Sequence, residues 1–188
     1  EVQTADEPVT VVISRKGFLR ARTGHGHDCS LMSFKTGDGL EATIECRSSS
    51  QISFLDQAGR VYTLAVSALP GGRGDGSPLS AFVDLPKGAQ PAGWISADPN
   101  AAAVIVTSGG KGMVLKDVST RLKAGRDFVT LGEGESLLPP IELPLKAAQG
   151  EQLIACLSSS NRLLVFPLKE VRMTASSGKG MSFMTLET

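Results

Sequence analysis

The stretch Ile-Val-Thr-Ser-Gly-Gly-Lys-Gly-Met at residues 105–113 decides the fold class of this chain. It consists of a short apolar strand, a polar turn, a basic residue and the start of a second apolar strand. The turn residue Gly110 is of the type that adopts a positive φ angle in a tight hairpin. The stretch therefore predicts a β-hairpin.

The same unit recurs three more times along the chain. The other copies are Val-Val-Ile-Ser-Arg-Lys-Gly-Phe-Leu (11–19), Phe-Leu-Asp-Gln-Ala-Gly-Arg-Val-Tyr (54–62) and Ala-Cys-Leu-Ser-Ser-Ser-Asn-Arg-Leu (155–163). The turn residues Gly17, Gly59, Gly110 and Asn161 are spaced by 42, 51 and 51 residues. A period of roughly 40–50 residues built on strand pairs is typical of a blade-based β architecture. We therefore predict an all-β fold of about four blades in a single repeat domain, residues 1–188, with units at about 8–50, 51–100, 101–150 and 151–188.

Each later unit continues into a polar, basic and glycine-bearing segment. We call these three segments the basic arms, residues 71–74, 123–126 and 177–180. The first unit has a looser equivalent at 23–27 and 35–37. An alternating apolar stretch follows each arm and is predicted to be a further strand, at 82–85, 128–131 and 183–186, with 40–44 as its counterpart in the first unit. Because the arms are long for a connection within one sheet, each unit is predicted to hand a strand to its neighbour.

Composition places the chain among globular proteins, since 41% of its residues are hydrophobic and 20% are charged. No stretch approaches the roughly 18 apolar residues that a membrane span requires. The acidic, polar N-terminus does not resemble a signal peptide, and the lack of an initiator methionine suggests a fragment of a longer protein. Of the three cysteines, Cys46 and Cys156 lie in apolar strand contexts, which predicts reduced thiols in a cytoplasmic protein.

The formal net charge is zero, but the charges are unevenly distributed. Residues 15–25, 111–126 and 162–179 are predominantly basic, whereas 28–45 and 127–151 are predominantly acidic. A repeat that is basic in one part and acidic in another predicts a disc with one positive rim or face.

No motif in the sequence supports a catalytic centre. His25-Gly-His27-Asp28-Cys29 has metal-ligand character, but the chain has no other histidine to complete a tetrahedral site. The glycine-rich stretches 108–112 and 177–180 do not have the spacing of a nucleotide-binding loop. Glu133 and Glu135 are predicted to be solvated in a glycine-rich turn. We therefore predict no catalytic residues, no metal and no bound cofactor.

What remains is a repeated set of basic residues after the hairpin turns and in the arms. Arrayed cations suffice for sequence-independent binding of duplex DNA through its phosphates. The alternative is that they are ordinary solubilising charges on exposed turns. The candidate DNA-contacting residues are Arg15, Lys16, Arg20, Arg22, Arg60, Arg73, Lys111, Arg126, Arg162 and Lys179.

The chain closely resembles the C-terminal β-pinwheel family of bacterial topoisomerase IV and gyrase A subunits, and within it the topoisomerase IV domain. The similarity follows the order and spacing of motifs over essentially the whole chain. The residues that carry it are Pro8-Val9-Thr10-Val11-Val12-Ile13-Ser14, Lys16-Gly17-Phe18-Leu19-Arg20, Gly24-His25, His27-Asp28, Gly59-Arg60-Val61-Tyr62, Leu69-Pro70, Arg73-Gly74, Pro78-Leu79, Leu85-Pro86, Ala124-Gly125, Pro139-Pro140, Phe166-Pro167 and Gly178-Lys179-Gly180.

The resemblance implies a propeller-like disc of four-stranded blades that exchange strands. It also implies a non-catalytic accessory domain that binds and bends double-stranded DNA, positions the transfer duplex and tunes substrate topology preference in chromosome decatenation and supercoil relaxation. The implied partners are DNA, the B subunit of the topoisomerase and the dimer of its A subunits, in the bacterial cytoplasm and nucleoid, with neither a membrane nor a small-molecule substrate. The Mg²⁺ and ATP of the holoenzyme, and its catalytic residues, would lie outside this chain.

Two departures qualify that implication. The gyrase domain carries a Gln-Arg-Arg-Gly-Gly-Lys-Gly box, which is not intact here, and its loss favours topoisomerase IV over the alternative of a gyrase domain. Family pinwheels have five or six blades, so a further blade is expected beyond the four units. The rival function classes are a propeller that binds an acidic protein partner and an enzyme with a metal site at His25 and His27.

Overall fold

The computed structural model describes residues 6–96 and 98–186, which form a nearly all-β structure. The strands are β1 Pro8–Ser14, β2 Phe18–Thr23, β3 Leu40–Arg47, β4 Gln51–Asp56, β5 Arg60–Ala65, β6 Ser77–Pro78, β7 Pro91–Ile95, β8 Ala101–Val106, β9 Lys111–Lys116, β10 Arg126–Asp127, β11 Ile141–Pro144, β12 Leu153–Leu157, β13 Leu163–Pro167, β14 Met173–Thr174 and β15 Met181–Ser182. A short helix, α1 (Leu145–Ala148), and 3-10 turns at Cys29–Leu31, Val66–Ala68, Leu79–Ala81 and Leu168–Glu170 complete the described elements.

The strands form four sheets, each built on one of the predicted hairpins. The first sheet has the order β3-β1-β2-β6, the second β10-β5-β4-β7 and the third β11-β8-β9-β14, with β15 also paired to β9. The fourth consists of β12 and β13 alone. The predicted all-β architecture is confirmed, whereas the fourth sheet has two strands instead of four in the described chain.

The same side-chain-to-backbone hydrogen bond recurs in all four hairpins and explains why these sequences form them. The residue before each turn carries a hydroxyl or carboxylate that accepts the backbone N–H four residues later: Ser14 from Phe18, Asp56 from Arg60, Thr107 from Lys111 and Ser158 from Arg162. The turn residue before the second strand has a positive φ angle in all four hairpins, at 77° for Gly17, 84° for Gly59, 79° for Gly110 and 59° for Asn161. The predicted turn chemistry is confirmed at every copy.

Strand exchange between neighbouring units is also confirmed. The edge strand β6 of the first sheet comes from the second unit, β10 of the second sheet comes from the third unit, and β14 and β15 of the third sheet come from the fourth. The turn-glycine carbonyls anchor the incoming segments. Gly17 accepts from Leu79, Gly59 accepts from Phe128 and Val129, and Gly110 accepts from Phe183 and Met184. Each of the three later units is therefore tied to the preceding hairpin at the same point.

The three alternating stretches predicted as additional strands are not strands. Residues 82–85, 128–131 and 183–186 are irregular, and the strands that complete the second and third sheets are β7 and β11 instead. Val83, Phe128, Val129, Phe183 and Met184 are nevertheless buried. These stretches are apolar because their side chains fill the space between sheets. In the second and third stretches the leading N–H groups also bond to the turn glycines Gly59 and Gly110, whereas in the first stretch they bond to the Leu79 carbonyl.

Three clusters of buried side chains join successive sheets. In the first cluster, the Phe54 ring lies between Tyr62 and Trp94, with centroid distances of 4.9 Å and 4.8 Å respectively. Further clusters join the second sheet to the third and the third to the fourth. Burying a side chain such as that of Phe54 contributes about 1.5–3 kcal/mol. Because each cluster combines residues of successive sheets, packing between sheets holds the repeat together.

The cysteines are free thiols, with Cys29 buried and Cys46 and Cys156 half-buried. Burial raises the pKa of the Cys46 and Cys156 thiols, which keeps them protonated and unreactive. None of the helices in the described ranges has the length and apolar character needed to cross a bilayer.

Candidate nucleic-acid interface

The sheet order separates charge between the two edges of the blades. The strands β3 and β11 form one edge of their sheets and carry the exposed carboxylates Glu41, Glu45 and Glu142. The opposite edge is formed by the exchanged strands, which lie beside or within the basic arms. In the first and third sheets the topology thus places exposed carboxylates on the edge opposite the exchanged strands, whereas Asp127 and Glu135 lie beside Arg60 and Lys111. We call the side of the exchanged strands and basic arms the basic edge, and the side of β3 and β11 the acidic edge.

The first basic arm brings two candidate residues together. Its entry pairs with β2, since the Ala21 N–H donates to the Pro70 carbonyl at 2.8 Å and Ala21 forms a parallel bridge with Gly71. A Cβ placed on Gly72 would lie 3.0 Å from the Arg22 Cβ. Arg22 therefore lies against the arm next to Arg73, and both side chains are exposed.

The third arm meets the segment that directly follows the second arm. The Gly178 N–H donates to the Phe128 carbonyl at 3.0 Å, and the Thr130 N–H donates to the Gly178 carbonyl at 2.8 Å. These contacts put Arg126 and Lys179 on the same edge, each within two residues of the crossing. Both are exposed, and the Arg126 guanidinium lies 4.8 Å from the centroid of the Phe128 ring.

The first hairpin turn presents two further cations. Arg15 and Lys16 are exposed at the β1–β2 turn, and Lys16 Nζ donates to the Thr36 carbonyl at 3.2 Å. The Lys16 N–H also donates to Asp38 Oδ1 at 3.0 Å. Desolvation opposes ionisation of Asp38, but hydrogen bonds from Ser14, Gly39 and Lys16 outweigh it and lower the pKa of Asp38. The charged carboxylate thus fixes the shape of this turn.

The three cations that directly follow the other turns are engaged by oxygens of more distant segments. Arg60 NH1 lies 3.3 Å from Asp127 Oδ1, and Lys111 Nζ lies 3.9 Å from Glu135 Oε1. Arg162 NH1 donates to the Thr185 carbonyl at 3.4 Å. The ten candidate residues therefore divide into exposed cations on the arms and first turn, engaged turn cations, and Arg20.

Arg20 does not fit the predicted role in DNA contact. Its side chain is 4% exposed, NH2 donates to the Ser33 carbonyl at 2.8 Å, NH1 donates to the Gly74 carbonyl, and the guanidinium lies 5.0 Å from the centroid of the Phe34 ring. A buried guanidinium satisfied in this way cannot reach a phosphate without breaking the fold. Arg20 instead connects the loop before β3 to the segment that leads into β6.

We expect Arg20→Ala to lower the free energy of unfolding by about 2–4 kcal/mol, because it removes charge-assisted hydrogen bonds and buried packing together. The matched variant Arg22→Ala, two residues along the same strand but exposed, should change stability by less than about 0.5 kcal/mol. Urea unfolding followed by circular dichroism measures both. Equal effects would contradict the structural role of Arg20.

Sequence reasoning overlooked several cations at the same edge. Arg121, Lys123 and Arg172 are exposed and lie in or next to the segments that supply β10 and β14. The available signal was their position in the predominantly basic stretches 111–126 and 162–179, because exchanged segments lie along the edge of the preceding sheet.

The other chemical motifs do not assemble into sites. His25 and His27 each hydrogen-bond a backbone carbonyl, of Cys46 and Thr23 respectively, at 2.8 Å. Within the described ranges no group of three or more His, Cys, Asp or Glu side chains converges to hold a metal ion. Glu133 is exposed as predicted, but the prediction for Glu135 is wrong because its side chain is only 16% exposed and accepts the Gly132 N–H.

The chain is similar in sequence to known proteins. The chain is 37% identical to the A subunit of DNA topoisomerase 4 from Neisseria gonorrhoeae and 36% identical to that from Pseudomonas aeruginosa, over 97% and 93% of its length. It spans about a quarter of these relatives, 24% and 23% respectively. No protein-family model matches the chain.

The fold of the chain is also similar to those of solved structures. The E. coli ParC C-terminal domain superposes with a TM-score of 0.88 at 28% identity, covering 96% of this chain and 72% of that one. The DNA gyrase A C-terminal domain superposes with a TM-score of 0.64 at 18% identity, covering 96% of this chain and 61% of that one. At that identity the second similarity concerns the fold alone.

Proposed function

Because this chain belongs to the β-pinwheel family of C-terminal domains found in the A subunit of DNA topoisomerase 4, we propose that it is a non-catalytic domain that binds and bends double-stranded DNA. The observation that carries this proposal is the basic edge. Arg22, Arg73, Arg126 and Lys179 are exposed there, and among the described residues none of them forms an ion pair with a carboxylate.

Phosphate contact explains the residue types at this edge. Lysine and arginine on glycine-rich arms can approach the DNA backbone closely, and such contacts position a duplex without reading its bases. Bending a duplex by 40–90° over a few turns costs on the order of 1–6 kcal/mol. Several phosphate contacts along a curved edge are needed to offset that cost, and cations repeated from blade to blade would supply them.

The wider role follows the family. As part of a type IIA topoisomerase, the domain would position the transfer duplex and tune the preference for linked or supercoiled DNA in decatenation and relaxation. It would act in the bacterial cytoplasm and nucleoid with the dimer of A subunits and the B subunit, and the Mg²⁺ and ATP chemistry would belong to other parts of the holoenzyme. The alternatives are the corresponding role in gyrase and a docking surface for an acidic protein.

Fluorescence anisotropy with a labelled duplex of about 40 base pairs, over a series of salt concentrations, tests the proposal. We expect binding at low salt with a log–log salt slope of about −4 to −5, since each phosphate contact contributes about 0.9. Duplexes of different sequence should bind alike. Absence of binding at about 50 mM salt, or a slope near zero, would contradict phosphate contact along the basic edge and favour an acidic protein as the partner.

A further inference from the structure

Two cations of the basic edge face carboxylates that come from other segments of the chain. Arg60 faces Asp127 and Lys111 faces Glu135. We propose that Asp127 and Glu135 compete with DNA phosphates for Arg60 and Lys111. The two carboxylates thereby hold the affinity of the chain for DNA below the value that the cations alone would give. This inference rests on the proposed function.

The Asp127 carboxylate competes from the exchanged strand. Asp127 ends β10 and lies directly opposite Arg60 in the antiparallel register with β5. Its side chain is 84% exposed, so the carboxylate lies on the outer surface of the pair. Arg60 Nε is buried and has no hydrogen-bond partner in the described chain, so its terminal nitrogens are the part of the guanidinium left to meet a phosphate. Any phosphate that approaches them must also approach Asp127.

The Glu135 carboxylate competes from a rigid loop. The Gly132 N–H donates to Glu135 Oε2 at 2.9 Å. Backbone and side-chain bonds between Ser136 and Ser108 then fasten this loop to the β8–β9 turn. A Cβ on Gly109 would overlap Glu135 Oε1, so the carboxylate is packed directly on the turn. The fold thus places the acid beside Lys111 before any ligand arrives.

The competition has a defined energetic consequence. A phosphate contact gains free energy largely by releasing counterions, and a cation already paired with a carboxylate has fewer counterions to release. DNA can displace a partly exposed pair because such pairs are weak, but it then leaves a carboxylate facing the phosphate backbone. The two pairs should therefore lower both the affinity and the number of effective contacts.

The test uses conservative amides and a matched control. Asp127→Asn and Glu135→Gln keep the shape and an oxygen acceptor, including the acceptor for the Gly132 N–H, but remove the charge. Glu133→Gln removes the same charge two residues from Glu135 at an exposed position without an ion pair in the described chain. Each protein is titrated with the same labelled duplex of about 40 base pairs between about 50 and 200 mM salt, and a thermal melt checks folding.

We expect Asp127→Asn and Glu135→Gln each to bind DNA more tightly and to steepen the salt slope by about 0.9, which is about a 3.5-fold larger loss of affinity between about 50 and 200 mM salt. The double variant should show both effects, and Glu133→Gln should show little change in slope. If the unchanged chain binds DNA and the amide variants match it or Glu133→Gln, the inference is overturned. If the unchanged chain does not bind at low salt, the proposed function itself fails.

Discussion

Gly59→Ala is expected to destabilise the protein by about 2–5 kcal/mol. Gly59 has a φ angle of +84°, and a left-handed backbone costs a side-chain-bearing residue about 1–2 kcal/mol. The added Cβ would overlap the Val129 carbonyl oxygen and lie 2.9 Å from the Val129 Cβ. Overpacking of this kind costs about 1–3 kcal/mol more. The backbone cannot shift freely, because the Gly59 carbonyl accepts the Phe128 and Val129 N–H groups that anchor the third unit.

Gly88 supplies a control that separates the two causes. Its φ angle is +85°, almost the same as that of Gly59, but nothing lies within 4 Å of a Cβ placed on it. Gly88→Ala should therefore lose only the conformational part, about 1–2 kcal/mol. Urea unfolding of both variants measures the difference. Equal losses would mean that contact between the turn glycine and the incoming segment does not hold the units together.

The turn at Gly59 can be predicted from sequence, whereas the contact of this turn with the third unit cannot. Hairpins depend on short-range features, and Gly59 together with alternating apolar neighbours is enough to predict a turn. The partner of Gly59 lies far along the chain, at Val129. An apolar stretch such as 128–131 has the same pattern whether it forms a strand or fills a gap between sheets, which is why its sequence predicts a strand.

The candidate site shows the same division. The excess of cations in the arms is a property of composition and is visible in the sequence directly. The burial of Arg20 is not visible there, because it depends on Ser33, Phe34 and Gly74 folding over one face of β2. Pairing of Lys111 with Glu135 also depends on tertiary structure. Sequence therefore predicts where positive charge concentrates, but not which cations are accessible.

Removing four accessible cations of the basic edge together should weaken DNA binding strongly. The variant carries Arg22→Gln, Arg73→Gln, Arg126→Gln and Lys179→Gln. These side chains are exposed, so stability should change little, by about 0.5 kcal/mol or less per site. The salt slope should fall by about 3.6 because each phosphate contact contributes about 0.9, and affinity at low salt should fall by about two orders of magnitude. Anisotropy titration of the same duplex measures both quantities.

The four-cation variant must show that DNA binding depends on the position of the cations and not on net charge alone. Lys87→Gln with Lys146→Gln removes positive charge outside the basic arms, Lys146 lying in α1 directly after the acidic-edge strand β11. Long-range attraction is screened within about 10 Å at 0.1 M salt, so lysines that do not contact the duplex should barely change the slope. A loss per charge as large as that of the four-cation variant would mean that DNA responds to net charge, with no defined track. A loss confined to the four-cation variant would mean that the exchanged segments, which hold the blades together, also carry the duplex.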